Sequence, residues 1–110
     1  MTGSLVPTMS EEAVREALRD VIDPELGYNI VDLGLVYDIA AEDGTIEVIM
    51  TMTTPGCPAQ DYIVRGVERR LAEEPGVKAI FVSVVWEPRW SPRRMSAEAK
   101  AYFRIRDDDA

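Results

Sequence analysis

Histidine is missing from all 110 residues, and cysteine occurs once, at Cys57. Without histidine no Ser-His or Cys-His nucleophile pair can be assembled within the chain, and zinc loses its commonest nitrogen ligand. A single thiol excludes a disulfide inside the chain. Long apolar runs are missing too: none approaches the roughly 20 residues that cross a bilayer, and the first residues lack the basic start and apolar stretch of a secretory signal. Basic charge is scarce. Twenty acidic side chains stand against 12 basic ones, a net charge of -8 that repels polyanions overall. These absences lead to the expectation of a cytoplasmic protein with neither a nucleic-acid nor a membrane partner.

The residues that remain are those of a folding chain, with 46% hydrophobic and 29% charged. The length suits one core and is short for two. Residues 1–9 read as a flexible arm, 10–104 as a single domain and 105–110 as an acidic tail. Ser10 can cap a first helix whose apolar positions Val14, Ala17, Leu18, Val21 and Ile22 fall on one face, with Pro24 ending it. Turn chemistry follows over 23–29.

Residues 34–41 and 45–53, joined by Glu42-Asp43-Gly44, predict an antiparallel hairpin. Its second strand turns Ile46, Val48, Met50 and Met52 to the core, and Glu47, Thr51 and Thr53 to the other face. A helix from Pro58 to about residue 74 presents Ala59, Tyr62, Ile63, Val67 and Leu71 on one side, with Gly66 allowing close backbone approach, and a strand spans 77–87. A last helix runs from Ser96 through Phe103. The expectation is a two-layer α/β (α+β) fold ordered α-β-β-α-β-α, with a small mixed three-stranded sheet if the helix between the last two strands is a parallel crossover. Periodicity leaves the place of the third strand open.

Chemistry concentrates at Cys57, in Thr53-Thr54-Pro55-Gly56-Cys57-Pro58, where a strand gives way to a helix. Unpaired backbone N–H groups and the positive end of the helix dipole favour a thiolate there, the form that attacks electrophiles and ligates metals. The plainer reading is a small buried hydrophobe. Asp23 and Glu25 flank Pro24 on a short loop and could ligate a hard cation, polarise a thiol or simply start a turn. Trp86, Arg89, Trp90, Arg93 and Arg94 form a basic and aromatic cluster. In an acidic protein Trp90 and Arg93 suggest a surface for a protein partner, and the alternative is that Trp86 continues a buried alternation while Trp90 covers a core edge.

Three segments in order, Asp23-Pro24-Glu25 leading into residues 30–37, then Thr53 to Pro58, then Trp86-Glu87-Pro88 with Trp90 and Met95-Ser96, resemble the SufT-like and PaaD-like family of metal-sulfur cluster assembly proteins. The resemblance covers about residues 11–103. It implies an iron-sulfur cluster assembly domain-like fold, often homodimeric, acting with the assembly machinery and client apo-proteins. It also implies that Cys57 is the functional thiol, with Asp23 in the other signature loop. Glu25, Thr53, Pro55 and Gly56, in the same two segments, are expected to support them.

Clusters usually take four protein ligands, and this chain offers one thiol. Cys57 is therefore expected to act as a transient ligand of iron or an iron-sulfur cluster, shared across a dimer or with a client, and not as a resident cofactor site. The leading reading is a non-enzymatic maturation factor. A cysteine-dependent enzyme and a pure adaptor are the alternatives.

Overall fold

The computed structural model describes residues 9–54, 56 and 58–105. The expected arm falls almost wholly outside these residues, and so do most of the acidic tail, Pro55 and Cys57.

Helix α1 spans Glu11–Leu18, and Ser10 caps it by accepting the Ala13 N–H at 3.0 Å. It buries Val14, Ala17 and Leu18 and stops before Val21 and Ile22, which the apolar spacing had assigned to it. The reason is local. Proline disfavours helical backbone at the residue before it, and the Asp23 carboxylate offers the next amides a partner outside any helix. Ile22–Asp23 (β1) instead pairs antiparallel with Tyr28–Asn29 (β2), a miniature hairpin inside the segment expected to be turn alone.

Val36–Glu42 (β3) and Thr45–Met50 (β4) form the expected hairpin, closed at Asp43 and Gly44 with φ of 52° and 85°. A register shift between Val36 and Asp38 places a bulge at Tyr37. Ile46, Val48, Met50 and Met52 are buried as expected. Thr51 departs from expectation: it is 1% exposed, because beyond β4 its N–H extends the ladder to the Leu35 carbonyl at 2.8 Å.

Helix α2, Ala59–Ala72, buries Ala59, Ile63, Val67 and Leu71, leaves Tyr62, expected on the same face, 63% exposed, and leads to β5, Ala79–Val84. β5 lies parallel to β4 and completes the mixed sheet in the order β3-β4-β5, which answers the question that periodicity left open. Both helices cover one face: α1 packs on β3 and α2, and α2 on β5. A 3-10 turn at Pro92–Arg94 and helix α3, Ala97–Phe103, capped by Ser96, finish the fold. α3 docks on β2 through aromatic rings. Tyr28 stands 5.0 Å from Tyr102 and 5.6 Å from Phe103 between centroids.

Candidate functional site

Beyond Met52 the chain leaves the sheet and turns into α2. Thr53 is half-buried, Thr54, Gly56 and Pro58 are exposed, and Ala59 is buried under the first helical turn. Gly56 has φ of 73° with open space where a side chain would begin. A residue with a Cβ there pays the strain of left-handed backbone without a clash, so glycine serves the path of the loop and not its packing. Pro58, at φ -61°, occupies the N-cap position. Cys57 and Pro55 lie outside the described residues, so the position of the thiol rests on its neighbours in sequence.

The second loop is better defined. Asp23 is 1% exposed at the end of β1. Its Oδ1 accepts the Glu25 N–H at 2.7 Å and the Leu26 N–H at 3.3 Å, while its backbone carbonyl accepts the Gly27 N–H at 2.7 Å. The carboxylate thus fastens the Pro24–Gly27 turn from inside. Glu25 is exposed. β1 packs on α2, with Val21 beside Gly66 at mid-helix and Ile22 sharing a groove with Tyr62, one turn nearer the helix start. The hairpin therefore runs toward the end of α2 that residues 53–58 enter. Among the described residues no three carboxylates gather in a metal-ligating group.

Below this hairpin lies a polar centre that the sequence reading passed over. Asp32 is 6% exposed; its Oδ2 accepts from Arg19 Nη1 at 2.6 Å and Asn29 Nδ2 at 2.7 Å. Asn29 Oδ1 in turn accepts the Asp32 N–H at 2.8 Å, and the Ser96 N–H donates to the Asp32 carbonyl at 2.8 Å. Burial opposes ionisation of Asp32, yet hydrogen bonds from Asn29 and Ser96 and the Arg19 charge outweigh it and hold the carboxyl below its ordinary range. The Asn29-x-x-Asp32 spacing was the available signal. Arg19 could not be paired with them from the sequence.

The model of a family described as "Iron-sulfur cluster assembly protein" matches residues 11–84, spanning both loops. The chain belongs to the iron-sulfur cluster assembly protein family. It is similar to the Fe-S protein maturation auxiliary factor YitW of Bacillus subtilis, 48% identical over 100 residues that cover 86% of this chain and 98% of the relative. It is also similar to the Fe-S protein maturation auxiliary factor SufT of Staphylococcus aureus, 47% identical over 81 residues, 73% of this chain and 92% of the relative. Among solved structures, a domain of unknown function (DUF59) from Bacillus anthracis superposes with a TM-score of 0.82 at 48% identity, covering 87% of this chain and 92% of that one.

In this member of the iron-sulfur cluster assembly family, Trp90 and Arg93 follow the stretch that the family model matches. Trp90 is half-buried, and its Nε1 donates to the Leu33 carbonyl at 2.8 Å. That bond ties the 85–95 segment to the fold. Tyr37 Oη donates to the Pro88 carbonyl at 2.7 Å, and the Arg94 guanidinium lies 4.6 Å over the Tyr37 ring. Arg93 is exposed. Trp86 is 40% exposed, contrary to a buried alternation. The structure thus packs the hairpin that ends in Asp23 on α2, and sets Trp90 and Arg93 on the segment tied to Leu33. No described helix is long and apolar enough to cross a membrane.

Proposed function

We propose that this member of the iron-sulfur assembly family helps deliver or insert clusters into client proteins, with Cys57 as a transient ligand or client contact and Asp23 supporting the loop beside it. The observation that carries this reading is the family match across both loops, combined with a chain that holds one thiol and no histidine. A cluster held by one protein thiolate lacks most of its ligands, so the rest must come from the thiol of a second copy, from small thiols or from the client. Labile ligation of that kind suits cargo in transit. Assembly machinery and apo-clients are then the partners, and the cluster is the substrate.

Cells lacking the protein and carrying Cys57→Ser are expected to recover no more iron-sulfur enzyme activity than the empty strain. Arg93→Glu, which changes an exposed side chain, is expected to restore it. Recovery with Cys57→Ser and failure with Arg93→Glu would instead identify an adaptor working through the Arg93 surface. Turnover of a thioester or disulfide by the purified protein would establish a cysteine-dependent enzyme.

A further inference from the structure

Beside the buried face of α2 runs a second stripe. Tyr62, Arg65, Gly66 and Arg69 follow the i, i+3, i+4, i+7 spacing and form one wall of a groove of about 510 Å³. Asp20, Val21 and Ile22, where the chain passes from α1 into β1, form the other wall. Gly66 makes the floor: a Cβ there would stand 3.2 Å from Val21 Cγ1, so the lack of a side chain lets the two walls meet.

The groove differs in charge from the chain around it. In a protein of net charge -8 its lining sets Arg65, Arg69 and Arg70 against Asp20 and Glu73, three positive charges to two negative. Arg70 is already neutralised, with Asp20 at 2.9 Å and Glu74 at 2.7 Å. Arg65 and Arg69 are exposed, and among the described residues their guanidinium groups have no partner, although Asp61 and Glu68 stand nearby on the same helix. Tyr62 is 63% exposed and Ile22 44%, an apolar patch toward the start of α2.

We propose that this groove docks an acidic, extended segment of a partner protein, with carboxylates on Arg65 and Arg69 and one apolar side chain over Tyr62 and Ile22. Charge selects the acid. The same groove shows Arg70 gathering carboxylates, and Arg65 and Arg69 add two guanidinium forks with none to hold. Shape selects the extended chain. From Tyr62 to Glu73 the helix rises about 16 Å, the span of about five extended residues. A compact anion would meet the two arginines and leave the apolar end bare. The remaining acidic surface repels such a segment, so the groove fixes where it lands. This docking goes beyond the role proposed for Cys57 and does not depend on it.

Fluorescence anisotropy of the full chain with a labelled peptide of about six residues, alternating glutamate with leucine, is expected to give a dissociation constant at or below about 100 µM. Serine in place of leucine should weaken binding at least about fivefold, as should Tyr62→Ser, and lysine in place of glutamate should abolish it. Arg65→Glu with Arg69→Glu is expected to raise the constant at least about tenfold, and the milder Arg65→Gln with Arg69→Gln at least about fivefold. The circular dichroism spectrum should not change, because neither side chain is bonded within the fold. Arg89→Glu with Arg93→Glu makes the same charge change at exposed residues outside the groove. At about 0.15 M salt, where screening acts within about 8 Å, it should alter binding less than about twofold.

No binding up to about 1 mM overturns the proposal. Equal losses from the two pairs of charge reversals overturn it, since net charge and not the groove would then govern binding, and so does loss with the Arg89 and Arg93 pair alone. Equal binding of the serine peptide overturns it as well and leaves Arg65 and Arg69 as a site for small anions. Anisotropy does not read cluster delivery, and activation of an apo iron-sulfur enzyme does, so either role can fail without the other.

Discussion

Gly34 and Gly56 share left-handed backbone, at φ of 78° and 73°, and differ in what surrounds them. A Cβ on Gly34 would overlap the Arg94 carbonyl, whereas one on Gly56 meets nothing within 4 Å. Gly56→Ala should therefore cost about 1 kcal/mol of backbone strain, and Gly34→Ala about 3 kcal/mol, lowering Tm by on the order of 10 °C. Calorimetry of the two variants checks the difference.

Asp32 predicts a pH dependence. Its folded pKa is depressed, so in acid the unfolded chain binds more protons, and stability rises with pH. The contribution is complete above the ordinary carboxylate range and fades as pH falls through the lower folded value. Asp32→Asn should cost about 2 kcal/mol near neutrality and less at low pH, with urea unfolding at pH 7 and pH 3 as the check. Asp23 was legible in the sequence because Asp-Pro-Glu is a local turn signal. Asp32 was not, because the charge that pairs with it comes from Arg19 on a different element.

Among the elements, the β3-β4 hairpin was readable from Asp43-Gly44 between alternating strands, because turn chemistry and period agree there. β1 and β2 were not, since two-residue strands carry no period and exist through the Asp23 fastening and the packing on α2 and α3. That dependence predicts coupling. Tyr28→Ala removes the ring between β2 and α3 and should cost about 1–2 kcal/mol. Amide exchange should quicken in α3 and residues 22–29 together, while β4 keeps its protection. Exchange that rises in α3 alone would show that the hairpin holds itself.

For the molecule as a whole, composition excluded more than it identified. The lack of histidine removed a Cys-His pair built within these 110 residues, and the acidic balance removed nucleic acid from the expected partners. Fold class and the order of the longer elements followed from periodicity, because each buried face repeats at its own spacing, while β1 and β2 were missed. The place of β5 did not, because an apolar strand pairs with either member of a hairpin equally well on pattern alone. The site was legible as a motif and no further: residues 53–58 name a thiol, and its proposed role as a transient ligand would draw the remaining ligands from other molecules. The most direct measurement is the anaerobic activation of a purified apo iron-sulfur enzyme by a cluster donor, with this protein or its Cys57→Ser variant added. The proposed role predicts faster or more complete activation with the native chain and none of that gain with Cys57→Ser. Equal gains from the two proteins would contradict it.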